Sequence, residues 1–158
     1  MHGVEPDSLL AQVVNHSSAA VFVKDRDGRF LYVNREFERL TGRPAGDLVG
    51  RLDHELFPSS AEAFRHNDTR VLEEGQPIDF EEVVHTEGGA RTYLSHKFPL
   101  LDDAGRACGV CGISTDITGR KRGEDALRSA ALAVSSAEGE AVFRELVRYL
   151  AAMLEVDA

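Results

Sequence analysis

Cys108 and Cys111 are the only cysteines of the chain, and they stand as Cys-x-x-Cys, a spacing used by zinc ligand pairs and by redox helices. Both chemistries need the two sulfurs on one side. The run that carries them, ACGVCGISTDIT, reads as a strand. On a strand an offset of three sends the two thiols to opposite faces unless a bulge intervenes. A zinc site also needs about four ligands, and no second pair accompanies this one. Two small apolar strand residues is the reading that fits.

The six histidines, His2, His16, His54, His66, His85 and His96, form no His-Glu-x-x-His pattern. His85 and His96 fall on consecutive predicted strands. An approach across that hairpin would give them a shared proton response near neutral pH, against the plainer reading of solvated or core-satisfied strand residues. Asp53-His54-Glu55 offers acid and base groups, but no nucleophile or Gly-rich phosphate loop accompanies it. It reads as the cap and solvated face of a short helix. Asn34 reads as a helix cap, with a ligand contact as the alternative. Asp116 reads as a cap at the start of an exit helix, or as a hinge whose bonding changes. Arg120, Lys121 and Arg122, next to Glu124 and Asp125, read as a solvated helix start.

These residues need elements to hold them. SLLAQVVNH (8–16) sets Leu9, Leu10, Val13 and Val14 at helical spacing behind a Ser8 cap, and such a helix needs a surface to cover. AAVFVKD and RFLYVN flank Arg26-Asp27-Gly28, a hairpin signal, so the first sheet element spans 20–34. Asn34 then caps REFERLTG, with Phe37 and Leu40 on one face and Gly42 as a left-handed stop. The stretch RPAGDLVGRLDHELFP, punctuated by Pro44, Gly46, Gly50 and Pro58, holds only very short helices. Its Leu48, Val49, Leu52, Leu56 and Phe57 are expected to pack inward. From Ser59 or Ser60 a helix of about four turns carries Phe64, Asn67, Val71 and Leu72 and stops at Gly75 and Pro77. Three strand-like runs follow, IDFEEVVHT, ARTYLSHKFPLL and ACGVCGISTDIT, joined by short turns into an antiparallel meander. Strands split by a helical block predict an α+β domain with its helices on one side of one sheet.

Beyond Thr118, GRKRGEDALRSAALAVSSAEG reads as an exit helix with Leu127, Ala131 and Val134 at helical or heptad spacing. After Gly139 a second amphipathic helix follows, with Phe143, Leu146, Val147, Leu150 and Leu154 along one side. An apolar-faced helix with nothing after it suggests a fragment of something longer, or pairing with another copy. The 158 residues allow one ordinary domain and something short. Apolar residues at 42% with charged residues at 28% fit a core-forming protein and exclude a disordered or fibrous one. A net charge of −9 argues against a polyanionic partner. No run reaches the ~18 apolar residues of a membrane span, no export signal opens the chain, and two cysteines fit a reducing compartment. A cytoplasmic location is expected.

FVKDRDGRFLYVNREFERLTG, then GRLDHELFP, then a helix, then GVCGISTDITGRKR, occur in that order and resemble the PAS sensor family over about residues 8–122. The resemblance implies a five-stranded antiparallel sheet with helices on one face, flanked by N-terminal and C-terminal helices. The expected divisions are an N-terminal helix (1–18), the PAS domain (19–118), a linker signalling helix (119–137) and the start of a truncated domain resembling GAF (138–158). It also implies a non-catalytic regulatory module of a larger bacterial histidine kinase, diguanylate cyclase or phosphatase. Such a module works as a homodimer, with its effector in the same chain and with no nucleic acid or membrane insertion.

Flavin-binding light sensors of the family carry Asn-Cys-Arg-Phe before the long helix. This chain has DHELFP there and no cysteine before Cys108, so that photochemistry is not implied. Haem-binding members place a histidine about eleven residues before the helix-ending Gly, where this chain has Phe64; His66, two residues on at ~100° each, falls on nearly the opposite face. No cofactor is expected. A small-ligand cavity would be lined by Phe37, Leu40, Leu56, Phe64, Val71, Tyr93, Ser95, Val110 and Ser114, and Asp116, Ile117 and Thr118 would transmit the signal. The rival reading is a constitutive dimerisation module with a filled core. On ARTYLSHKFPLL, Leu94, His96, Phe98 and Leu100 form the more apolar parity and Tyr93, Ser95, Lys97 and Pro99 the other; parity alone does not choose the cavity face.

Overall fold

The structure, a computed structural model, describes residues 6–136 together with 144, 145, 147–149 and 152. The chain forms two compact units, Met1–Ile117 and Thr118–Ala158. In the first, helix α1 (Pro6–Asn15) leads into strands β1 (Ala20–Asp25) and β2 (Phe30–Val33). Helices α2 (Arg35–Thr41), α3 (Ala45–Leu48), α4 (Asp53–Leu56) and α5 (Ala61–Glu74) follow, then strands β3 (Ile78–Thr86), β4 (Gly89–Leu101) and β5 (Ala107–Asp116). In the second, α6 spans Thr118–Ser136. The GAF-like start expected over 138–158 falls almost wholly outside the described residues.

All strand pairs are antiparallel and the sheet order is β2-β1-β5-β4-β3. The last strand of the fold is therefore its centre. The β1–β2 turn is held by Asp25, whose Oδ1 accepts from the amides of Asp27 and Arg29 at 2.9 Å. Asn34 caps α2 through Phe37 N–H at 3.1 Å, and the same Oδ1 accepts from Val21 N–H at 2.9 Å. Its Nδ2 donates to the carbonyls of Val14 and Ala19. One fully buried amide side chain thus ties α1, β1 and α2 together.

Phe22, Phe30, Phe37, Phe57 and Phe64 meet in successive edge-to-face and tilted pairs, with ring centroids 5.2–6.2 Å apart, and fill the space between sheet and helices. Gly112, in the central strand opposite Phe22, makes room for them: a β-carbon there would lie 2.2 Å from the Phe22 ring.

Three local expectations change. Ser8 lies inside α1, where its Oγ accepts from Gln12 Nε2, because the helix begins two residues earlier. Val49 is 46% exposed, since it follows the last residue of α3 with extended backbone and points away from buried Leu48. Ser60 precedes α5 without capping it; its Oγ donates instead to the Val83 carbonyl at 2.9 Å and ties the helix start to β3.

Candidate functional site

The inward face of the sheet carries a line of charge. Lys24 on β1 follows Ala20 and Phe22 in strand alternation, and Lys97 on β4 follows Tyr93 and Ser95. Both are buried, at 2% and 1% exposure. Lys24 Nζ donates to both carboxylate oxygens of Asp53 at 2.8 and 2.7 Å and to Asp68 Oδ2 at 2.8 Å. Lys97 Nζ donates to Asp68 Oδ1 at 2.8 Å and to Glu82 Oε1 at 2.7 Å. Asn67 Nδ2 adds a bond to Glu82 Oε1 at 2.9 Å.

The result is an alternating chain, Asp53, Lys24, Asp68, Lys97, Glu82, that stitches α4, β1, α5, β4 and β3 through the core. Isolated buried charges are too costly to keep, so every member has its partner. No buried side-chain nitrogen or oxygen among the described residues lacks a hydrogen bond. Lys24 Nζ also lies 5.0 and 4.8 Å from the ring centroids of Phe22 and Phe30, within cation–π range.

Position in the chain sets the protonation preferences. Burial pushes the Asp53 carboxyl up, and the attraction of Lys24 does not fully reverse it, so Asp53 sits above the ordinary aspartate range. Burial acts the same way on Asp68, but Lys24 and Lys97 together outweigh it and hold Asp68 below that range. For Lys97 burial favours the neutral amine; Asp68 and Glu82 overcome it and raise the ammonium above the ordinary lysine value.

A cavity of about 30 Å³ lies beside this chain, lined by the aromatic cluster, Ala20, Leu40, Val84, Tyr93, Ser95 and Ser114, and by Lys24, Asp53, Glu82 and Lys97. That space is on the scale of one or two water molecules. Ser95 and Ser114 share a buried hydrogen bond of 2.8 Å across β4 and β5. Of the residues expected at a cavity, Phe37, Leu40, Phe64, Tyr93, Ser95 and Ser114 are on its wall. Leu56, Val71 and Val110 are not. Val71 is buried two turns past Phe64, with Asp68 between them. Val110 is buried on β5 opposite Lys24, beyond Gly112. Leu56 is half-buried and lines an outer groove with Arg39, Arg43 and His85.

The register answers the parity question. Tyr93, Ser95 and Lys97 face the cavity, and the more apolar set turns outward with Leu94 37% exposed. The reading of Asp53 as part of a solvated cap is overturned: it is buried and bonded to Lys24, and only Glu55 caps, accepting from Leu52 N–H at 2.8 Å. His85 and His96 do not meet either. His96 stands opposite Asp79 and bonds to its carboxylate, whereas His85 stands opposite Ala90. Cys108 is exposed and Cys111 buried, and burial raises the Cys111 thiol. His66 is exposed on α5 while Phe64 faces the core.

At the sheet's exit, Asp116 ends β5 with its Oδ2 3.0 Å from Arg91 Nη1, and Ile117 is buried with its N–H donated to the Thr92 carbonyl at 2.9 Å. Thr118 opens α6. Among the described residues no group of histidine, cysteine and carboxylate side chains is arranged to hold a metal, and no helix is long and apolar enough to cross a membrane.

A family model described as PAS fold matches residues 14–122. The methanogenesis regulatory histidine kinase FilI of Methanothrix harundinacea is 35% identical over 131 residues, covering 78% of this chain and 15% of that protein. A diguanylate cyclase of Vibrio cholerae is 34% identical over 115 residues, covering 70% of this chain and 36% of that protein. The chain thus spans well under half the length of either relative. The PAS domain of Bordetella pertussis BvgS has the same fold, with a TM-score of 0.61 at 24% identity over 77% of this chain and 93% of that one. The five-stranded antiparallel sheet, the helices packed on one face and the matched residues agree: the chain belongs to the PAS family.

Proposed function

We propose that this chain is the cytoplasmic sensory input domain of a larger signalling protein, of histidine kinase, diguanylate cyclase or phosphatase type. In this reading the domain is not itself catalytic. A small ligand or partner acts on its core, and the change passes along β5 through Asp116, Ile117 and Thr118 into α6. The observation that carries the reading is the path itself. β5 is the central strand, Ser114 on it lines the cavity, and two residues past its end the chain enters α6. The histidine kinase and diguanylate cyclase among its relatives support a signalling context.

A ligand can drive the relay only by its differential affinity for two arrangements of the core. A homodimer is the expected working unit. Leu9, Leu10 and Val13 on α1, and Leu31, Val83, Leu94 and Ile113 on the outer sheet face, are exposed apolar residues that a second copy would cover. Residues 138–158 would open a following GAF-like domain. Neither nucleic acid nor a membrane is a partner in this reading, and neither haem nor flavin is a cofactor.

A second reading has its own support. A cavity of about 30 Å³ and, among the described residues, buried side-chain nitrogens and oxygens that all have a hydrogen-bond partner are what a filled-core dimerisation module would have. An absorption spectrum and native mass spectrometry of the purified chain separate the two. A bound mass that survives desalting supports ligand sensing, and a clean apoprotein mass favours the filled core. Light scattering that shows monomer at every concentration would remove the dimer from both.

A further inference from the structure

Asp53 closes one end of the buried ion chain and meets space on two sides. It lines the interior cavity, and it also lines an open cleft of about 470 Å³ between the β1–β2 turn and the start of α5. The groups facing it are Lys24 from β1, Lys97 from β4 and Asp68 from α5. In the cleft stand Asp27 from the turn, Glu62 and Arg65 from α5, and His54 beside it on its own helix. Three carboxylates against two ammoniums leave the core one negative charge in excess.

We propose that Asp53 is the proton-accepting end of this chain and makes the domain proton-responsive: one proton on its carboxylate balances the core at two charges of each sign and weakens the clamp between Lys24 and α4. The proton comes from a hydronium ion of the solvent in the cleft: one of its O–H bonds breaks as one Asp53 oxygen gains an O–H bond, water is left behind, and no other covalent bond changes. That oxygen then carries an O–H and becomes a poorer acceptor toward the ammonium, so Lys24 keeps the other Asp53 oxygen and its ion pair with Asp68, and one of its two bonds to α4 is weakened or lost. α4 is a single turn whose buried residue is Asp53. β1, on the other side of the clamp, pairs with β5 from Ala20 to Asp25. A change at Asp53 therefore reaches the central strand through one intervening residue, Lys24.

The two carboxylates that share Lys24 are held apart in their titration, Asp53 above the ordinary range and Asp68 below it, so of these two Asp53 takes the proton. The proposal rests on the sensory reading only for where the change is sent.

Carboxyl-detected NMR of the whole chain during a pH titration tests it, with Asp53→Asn as the variant that removes the titrating group. Asp53 is expected to titrate above about 4, the ordinary aspartate value, and well above Asp68. Amides of α4 and β1 should shift with the same midpoint, and that transition should be missing in Asp53→Asn. Asp53 titrating with or below Asp68, or α4 amides silent through its titration, would overturn the proposal. The wild-type titration decides this alone if the variant folds poorly. If α4 and β1 follow Asp53 and α6 does not, the switch is supported and the relay to α6 falls.

Discussion

Asp53→Asn and Asp68→Asn make the same change in charge, each bringing the core from one excess negative charge to neutrality, yet the structure assigns them very different costs. Asp68 is the middle of the chain and accepts one short bond from each ammonium. An asparagine oxygen there can serve only one lysine, and its NH₂ faces the other, donor against donor. One charge-assisted bond of about 1.5–3 kcal/mol is lost. A buried ammonium is also left short of a partner, and the total falls at about 3–5 kcal/mol, as for breaking a buried pair. Asp53 is terminal. Its asparagine still accepts one of the two bonds from Lys24, Lys24 retains Asp68, and removing a charge that burial disfavours offsets part of the lost bond, so the expected net cost is about 1 kcal/mol. At ~2–4 °C per kcal/mol for a chain of this size, Asp68→Asn should lower Tm by roughly 10 °C and Asp53→Asn by about a third of that or less. Urea unfolding followed by circular dichroism near neutral pH measures both. Equal losses would show that net charge, and not position in the chain, governs the core, and would refute the reasoning.

Three further outcomes follow from the same geometry. Asn34→Ala removes four hydrogen bonds at a fully buried position and strands the amide of Val21, so unfolding by urea should show a loss of about 3 kcal/mol. Gly112→Ala places a methyl against the Phe22 ring in the central strand and should cost about 1–3 kcal/mol with a changed near-ultraviolet spectrum; an unchanged Tm would contradict the packing described. In acid, Asp68 and Asp53 act in opposite directions. Asp68, held low, contributes stability that is present above about 4 and is lost as pH falls through its own lower pKa. Asp53, held high, binds its proton more readily folded than unfolded, so stability it withholds at neutral pH returns as pH falls toward about 4. Urea midpoints over a pH series should move in favour of wild type over Asp53→Asn in that window, and parallel curves would count against it.

The order of elements was legible because each boundary has a local cause. Asp25-Arg26-Asp27-Gly28 turns the first hairpin, Asn34 caps and Gly42 stops α2, and Gly75 ends α5, all set by residues within a turn of the boundary. The ion chain was not legible by the same means. Apolar parity is the usual guide to an inward face, and on β4 it points to Leu94, His96, Phe98 and Leu100, which turn outward. The signal was present in another form. Lys24 shares strand parity with Ala20 and Phe22, and Asp68 lies on the α5 face of Phe64 and Val71. A cation and an anion each sat in line with core residues, and only the sheet order brings them within hydrogen-bonding distance. Asp53 was obscured further by its neighbours His54 and Glu55, which are exposed and make the whole segment read as surface.

The relay from core to exit helix is tested most directly by hydrogen exchange across Thr118–Ser136 in wild type and Asp53→Asn. The substitution is confined to the interior end of α4, and the readout begins beyond the end of β5. A several-fold change in α6 exchange, accompanying the change in α4, is the predicted result. Identical α6 exchange while α4 exchange changes would contradict the claim that the state of this core is passed on.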